Sequence, residues 1–397
     1  MLSDARDALQ QILNPVSYDD FFNFYVGKKP LIIKDNNPFR ASIGGASPRE
    51  KLLQGHRRYA PAVTCHSHAP KLPPPAATEV ENEQAFYQLI TDHFKLDYTV
   101  RIPDVTGLSP ELTNFTRSLE KIIQSPVSVV VFWSHQGAQA PVHHDEVDVI
   151  VIQLEGTKRW FVSDAPPSFP TRWKKAGSLP PQMPHYQTVD VKAGDLIYLP
   201  RGTVHTVQST SESIHLSIGF VPVTVRDTVN AVLDHLTEVS LPLRKDIGPR
   251  ADCLTSHNAL EQVSQQVKEH LQSLLSAAQH DQFIMESLKR QRARLIQDMP
   301  KLKPSVPARH PVSVNTFVQR SSLAMAELTE TDKILDLSVP GEQILIHPGV
   351  KAQLQFMITT SAFRVADIPG EIGDDVRVAL TQRLLACGFL EPSPARQ

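Results

Sequence analysis

Two short stretches of the chain carry residue types that can do chemistry. Val142-His143-His144-Asp145-Glu146 supplies a His-x-Asp pair, and Gly202-Thr203-Val204-His205 supplies a distant histidine 60 positions after Asp145. Two imidazoles and one carboxylate form the ligand set of a non-haem Fe(II) site that keeps open positions for substrate and oxygen. That set points to oxygenase chemistry. Side chains alternate faces along a strand, so His143 and Asp145 project one way and His144 and Glu146 the other.

A lone His-x-Asp is a weak signal, because both residue types hydrogen-bond at strand ends without holding a metal. Its surroundings strengthen it. Val147 to Leu154 is largely β-branched or apolar and ends at Glu155-Gly156, which reads as a hairpin. The pair therefore sits at the mouth of a buried strand. Lys192 to His205 reads as turn, strand, turn and strand, with Pro200-Arg201-Gly202 as the second turn. A ligand from a later strand is what a β-barrel needs to complete one face of a metal. Lys158 shares a face with Trp160 on the strand after Gly156. Aimed into a barrel, its ammonium needs an anion to meet it; the ordinary alternative is a solvated lysine on the outer face.

The motifs His143 to Asp148, Gln153 to Trp160 and Gly194 to His205, with Tyr25 to Ile33 near the start, resemble the JmjC-type oxygenases. The likeness is greatest to the ribosomal oxygenase branch, which contains nucleolar and Mina-type protein histidine hydroxylases and a bacterial ribosomal-protein arginine hydroxylase. One departure is visible: the family usually has Pro directly before the first iron ligand, whereas here Val142 separates Pro141 from His143.

The resemblance implies an α+β chain: a double-stranded β-helix (jelly-roll, cupin-like JmjC) barrel, then a helical dimerisation domain and a C-terminal winged-helix domain. It implies that His143, Asp145 and His205 hold Fe(II), with no catalytic residue beyond the metal ligands. Lys158 would pair with the distal carboxylate of 2-oxoglutarate, and Ser217 would place a hydroxyl near that co-substrate, although a plain core serine fits Ser217 equally well. His215 and Trp160 would support the ligands from behind. With O2, the co-substrate would yield succinate, carbon dioxide and a hydroxylated target, the protein supplying position and exclusion of water.

Composition fits a soluble intracellular enzyme. The 397 residues allow two or three domains. Three cysteines, Cys65, Cys253 and Cys387, lie far apart, which argues against a disulfide framework or a cysteine-based zinc site. Met1 to Arg6 lacks the basic and apolar regions of a signal peptide, and no apolar run approaches membrane-spanning length. Cytoplasm is the expected location, with no membrane partner. A formal net charge of −2 gives no reason to expect nucleic-acid binding.

Along the chain, Ala5 to Leu13 reads as a short helix capped by Asp4, and Tyr18 to Tyr25 as an aromatic helix feeding the strand Leu31 to Ile33. Ala69 to Ala77 is a proline-rich connection. Phe115 to Ile123 is helical and Val127 to Phe132 a strand. The insert Asp164 to Tyr186 is stiffened by six prolines and reads as a solvated crossover or as part of a substrate entrance.

Beyond about Val225 the apolar period changes to three and four, from Leu260 to Leu275 and again from Phe283 to Ile296, as in two amphipathic helices. The basic run Lys289 to Arg294 reads as a solvated face in preference to a nucleic-acid contact. After a linker at Lys301 to Pro307 come short elements near Leu323 to Leu328 and Gln343 to Ile346, a strand-like run at Ala352 to Ile358, a turn at Val365 to Gly370 and a helix at Asp375 to Cys387. Ten basic residues balance ten acidic ones beyond Pro300, so this module reads as structural or protein-binding. The expected division is 1–225 catalytic, 226–300 dimerisation and 301–397 winged helix.

The expected function is hydroxylation of a histidine or arginine side chain of a ribosomal protein or other polypeptide by a homodimer. Two readings stay open: an oxygenase acting on a small molecule or another peptide, and a non-catalytic cupin-like metal binder that would have no need of Lys158.

Overall fold

The computed structural model describes residues 2–68, 72–169, 181–246, 257–304, 311–330 and 333–393. It divides into two compact units, residues 1–123 with 127–222, and residues 124–126 with 223–397.

The first unit is built on ten strands: β1 (Leu31–Ile33), β2 (Thr64–His66), β3 (Thr99–Ile102), β4 (Val127–Ser134), β5 (Asp148–Glu155), β6 (Thr157–Ser163), β7 (Tyr186–Lys192), β8 (Leu196–Leu199), β9 (His205–Ser209) and β10 (Ser213–Phe220). Seven form one antiparallel sheet in the order β1-β8-β5-β10-β4-β3-β2, and three form a smaller sheet, β7-β6-β9. Strand β5 explains why two sheets enclose two cores. Its β-branched run is buried on both faces: Ile150, Ile152 and Leu154 join the core under the N-terminal helices, whereas Val149 and Val151 meet Trp160, Val162, Val189 and Val191 between the sheets. The helices Leu2–Leu13 and Pro110–Ile123 cover the outer core with one apolar face each.

Glu155-Gly156 does not make the expected hairpin. Strand β5 pairs with β8 and β10, while β6 pairs with β7 and β9, so the chain changes sheet at Gly156. Gly156 has φ +67°, and a Cβ there would lie 2.1 Å from the Glu212 carbonyl oxygen; the corner requires glycine. The turn residues are those of a hairpin, but the double-stranded β-helix uses them to cross between sheets. Asp4 is likewise not a cap, since the helix already begins at Leu2. Strand β6 and strand β7 are the pair that flanks the proline-rich insert; its residues 170–180, like 69–71 of the earlier proline-rich connection, lie outside the described residues.

In the second unit, helices Val225–Val239, His257–Ala277 and Asp281–Gln297 precede two three-stranded antiparallel sheets. His235 stacks on Phe283 with ring centroids 4.1 Å apart and meets the Ser287 hydroxyl at 2.9 Å, joining the first helix to the third. Three of the four basic residues in the run are ion-paired: Arg290 and Arg294 with Glu238, Arg294 also with Asp234, and Arg292 with Glu327. The sheets are β12-β13-β14 and β15-β11-β16, from β11 (Phe317–Arg320), β12 (Glu327–Glu330), β13 (Leu335–Val339), β14 (Glu342–Ile346), β15 (Ala362–Arg364) and β16 (Leu390–Pro392). Lys351–Thr359 is a helix, not the expected strand. Its buried residues are Gln353, Leu354 and Met357, a helical spacing that a short run of mixed polarity hides. The linker residues 305–310 are outside the described residues.

Candidate metal centre

The segment Gly137 to His143 lies antiparallel to β9, with bridges Gln139 to Gln208 and His143 to His205. His143 and His205 each donate a main-chain N–H to the other's carbonyl, at 3.0 and 2.8 Å. In such a closely paired position the two side chains leave the ladder on the same face, and their ring centroids are 4.4 Å apart. Two residues on, Gly202 donates its N–H to the Asp145 carbonyl at 2.8 Å. One ligand atom from each of His143, Asp145 and His205 falls within 4.8 Å of the other two.

Both imidazoles are oriented by main-chain oxygens. His143 Nδ1 meets the Pro141 carbonyl at 2.8 Å and His205 Nδ1 meets the Thr203 carbonyl at 2.9 Å. A carbonyl only accepts, so each Nδ1 carries the proton and each Nε2 presents a lone pair. Burial, with His143 adding to it, pushes His205 down to about 4, so this imidazole stays neutral near pH 7. His205 is buried and Asp145 half-exposed, which leaves one side of the triad open. Neutral nitrogens and a carboxylate grouped this closely fit a divalent cation.

The frame behind the triad is anchored by Asp148. Its carboxylate is 1% exposed and accepts from the Tyr198 hydroxyl at 2.6 Å and from the Arg201 N–H at 3.1 Å. Tyr198 in turn accepts from the Gly27 N–H at 2.9 Å. The start of β5, just past Asp145, is thereby tied to the turn that leads to His205.

The triad opens into a cavity of about 210 Å³ between the sheets, which also receives Lys158, Trp160, His215 and Ser217. Lys158 is 2% exposed and donates to the Ser134 hydroxyl at 2.8 Å; Thr99 donates to the same oxygen at 3.1 Å. Burial pushes Lys158 down to about 7. No carboxylate among the described residues pairs with it. A buried ammonium with one neutral partner fits an incoming anion, and the cavity takes it in beside the triad.

Trp160 stacks on His205 at 5.7 Å and meets His215 edge-on at 5.8 Å, while His215 stacks on Phe132 at 5.0 Å. Trp160 thus packs on His205, with His215 and Phe132 behind it; the hydrogen bonds that orient the two ligand histidines come from Pro141 and Thr203. Sequence reasoning passed over Ser134, His66 and Arg101, all of which line the cavity. Their signal was faint: polar residues at alternate positions on otherwise apolar strands.

Fold and triad together define a double-stranded β-helix of the cupin class carrying a His-Asp-His constellation. Residues 108–228 match the family model for the JmjC domain. Among curated relatives, the bifunctional lysine-specific demethylase and histidyl-hydroxylase NO66 of Dictyostelium discoideum is 26% identical over 247 residues, 60% of this chain and 47% of the relative. Ribosomal oxygenase 2 of Mus musculus is 28% identical over 220 residues, 53% of this chain and 46% of the relative. The chain thus spans about half the length of the curated relatives it matches. Among solved structures, Escherichia coli ribosomal oxygenase YcfD superposes with TM-score 0.51 at 15% identity, covering 95% of this chain and 98% of that one. The same protein in complex with cobalt and 2-oxoglutarate gives 0.50 at 15% identity, with the same coverage of both chains. The likeness to YcfD is one of fold.

Proposed function

We propose that this chain is an Fe(II)- and 2-oxoglutarate-dependent oxygenase that hydroxylates a histidine or arginine side chain of a ribosomal protein. The observation that carries this reading is the pairing, in one cavity, of an open His143-Asp145-His205 triad with a buried lysine that lacks a carboxylate. A simple metal binder has no use for Lys158. The names of the sequence relatives, ribosomal oxygenase and histidyl-hydroxylase, support the substrate class, and the fold neighbour solved with cobalt and 2-oxoglutarate supports the cofactor pair.

In this reading His143 Nε2, His205 Nε2 and an Asp145 oxygen hold Fe(II), and Lys158 with Ser134 takes the distal carboxylate of 2-oxoglutarate. Ser217 adds a hydroxyl on the cavity wall. The bound Fe(II), 2-oxoglutarate and O2 supply the oxidising power, with succinate and carbon dioxide as co-products and one oxygen atom delivered to the target C–H bond. The protein's part is positional. The main-chain carbonyls of Pro141 and Thr203 keep both imidazoles in the coordinating tautomer, and Trp160, Val149 and Val151 form a dry wall that limits side reactions with water.

For the second unit, we assign residues 226–300 to homodimer formation and 301–397 to a winged-helix-like module that binds protein or stabilises the chain. Exposed apolar residues on helix His257–Ala277 support the first assignment, and paired small sheets with helices Lys351–Thr359 and Asp374–Ala386 support the second. No helix among the described residues is long and apolar enough to cross a membrane. Free thiols at Cys65 and Cys387 suit a reducing compartment, in keeping with a cytoplasmic enzyme.

The test is anaerobic addition of Fe(II) and then 2-oxoglutarate, watching for the visible charge-transfer band of a chelated 2-oxo acid. A band present in the wild type and lost in His143→Ala is expected. No band in the wild type removes the oxygenase reading.

A further inference from the structure

The second unit contains a cleft that the oxygenase reading leaves unused. It measures about 610 Å³ and lies between strand β12, helix Lys351–Thr359 and helix Asp281–Gln297. The strand and the first of these helices match in length: four residues at about 3.3 Å and nine at about 1.5 Å both span about 13 Å. Lys351, Gln355, Ile358 and Thr359, one face of that helix, line the cleft. Ion pairs fix its walls, Lys351 to Glu330 and Arg292 to Glu327, the latter at 2.8 Å.

Strand β12 stands at the edge of its sheet, paired with β13 alone. The register runs unbroken from Glu327 opposite Ser338 to Glu330 opposite Leu335, and the strand has neither a proline nor a bulge to blunt its edge. Ala326, Glu327 and Leu328 all line the cleft. Successive side chains point to opposite faces of a sheet, so a cleft that meets all three runs along the edge of the strand and not over one face. Every second residue of an edge strand turns its N–H and C=O outward. Among the described residues no main-chain hydrogen bond joins residues 326–330 to anything other than β13. Ala326, Leu328 and Ile358, half-buried against the core of the module, give the cleft an apolar floor. All three of its carboxylates are engaged, Glu286 by Arg290 at 3.4 Å. Among the described residues, Lys289 is the one cation of the cleft without an ion pair.

We propose that this cleft docks an extended segment of a partner protein, which adds to the edge of β12 as a further strand, rests an apolar side chain on Leu328 and Ile358 and offers a carboxylate to Lys289. The proposal goes beyond the oxygenase reading and does not depend on it. Main-chain pairing along the edge supplies the attachment, and the side chains at alternate positions supply the selection. A basic segment would meet Lys289 with no spare carboxylate to receive it, whereas an acidic one completes the missing ion pair. A second copy of the chain would have to bring the helices that wall its own β12 into the same space, so a loose segment fits and a folded copy does not.

The experiment titrates the full chain into labelled octapeptides with valine at alternate positions and one Glu, Gln or Lys moved through the positions between, with binding read by fluorescence anisotropy. Glu peptides are expected to bind about three- to tenfold more tightly than their Lys counterparts, the range for an exposed ion pair exchanged for a repulsion. Methylating the peptide N–H groups one at a time should abolish binding at alternate positions only, because a strand pairs through every second residue. Lys289→Glu should reverse the order of Glu and Lys peptides, which a misfolded variant cannot do. No binding of any peptide at millimolar concentration overturns the proposal, as does tolerance of methylation at every position or an order untouched by Lys289→Glu. A peptide that halves the sedimenting mass as it binds would give the cleft to a second copy of the chain and overturn it too. The charge-transfer test of the oxygenase reading is run without peptide, so the two readings fail separately.

Discussion

His143 and His205 exchange both of their main-chain hydrogen bonds, at 3.0 and 2.8 Å, and this reciprocal pair fixes the spacing of the two imidazoles before any metal arrives. The backbone register does the positioning, so a change in one side chain leaves the other in place. Ligand loss should therefore be clean. In Co(II) titrations without oxygen, His143→Ala, Asp145→Ala and His205→Ala should each weaken metal binding by more than about a hundredfold, since even loss of a group behind a ligand costs ten- to a hundredfold. The wild type should gain about 2.7 kcal/mol of stability when metal is at a hundred times Kd, read as a metal-dependent rise in Tm, and the variants should not. A variant that keeps the rise is not missing a ligand.

Lys158 links co-substrate binding to pH. Its folded value, about 7, lies below the ordinary 10.5, so folding disfavours the ammonium. The resulting cost is fully present below about pH 7 and is lost as pH rises toward 10.5, a swing of several kcal/mol. Lys158→Met should accordingly stabilise the ligand-free protein near pH 6 and do little near pH 10, as read by denaturant unfolding at the two pH values. Binding of a dicarboxylate reverses the preference, because the anion needs the charged form. The Kd for 2-oxoglutarate in the wild type should then be flat below about pH 7 and rise up to tenfold per unit above it, and in Lys158→Met the Kd should be weaker throughout with that rise gone. A pH-independent wild-type Kd between 7 and 9 would show that Lys158 does not meet the carboxylate.

Much of this site is legible in the sequence because it obeys alternation. His143 and Asp145 share parity, β5 and β8 announce themselves by unbroken apolar runs, and Lys158 shares parity with Trp160. What is hidden depends on register between distant strands. Ser134, Arg101 and His66 reach the cavity because β4, β3 and β2 pair in one particular alignment, and nothing local to those strands states it. Gly156 misleads for a related reason: its positive φ serves a hairpin or a change of sheet equally well, and the choice is made by which strands close the barrel. In Lys351–Thr359, Gln353 is buried through a bond to the Pro369 carbonyl, which blurs the helical stripe.

Asp148 anchors the frame, and its loss should be felt away from the metal. Replacing it by Leu leaves the Tyr198 hydroxyl and the Arg201 N–H buried without their acceptor, at about 1–3 kcal/mol each. Asp148→Asn retains one acceptor and should cost roughly half as much. At about 2–4 °C per kcal/mol for a unit of this size, thermal unfolding separates the two variants. Since Arg201 precedes the turn to His205, Asp148→Leu should also weaken Co(II) binding, whereas an unchanged metal affinity would confine Asp148 to a stabilising role.

The helix His257–Ala277 exposes Leu260, Val267, Leu271 and Leu275 at 44%, 50%, 53% and 66%. Their spacing of seven, four and four keeps them on one stripe, and a stripe of this kind left in water costs about 25 cal/mol for each Å² that a partner would cover. A second copy of the chain is the cover that the dimer assignment supplies. Sedimentation equilibrium should give twice the chain mass of 44.2 kDa at micromolar concentration. Leu271→Glu with Leu275→Glu should shift the protein to monomer, because two carboxylates cannot be desolvated without partners, while leaving Co(II) binding unchanged. A wild type that sediments as a monomer removes the dimer assignment, and a double variant that stays dimeric moves the interface off this helix.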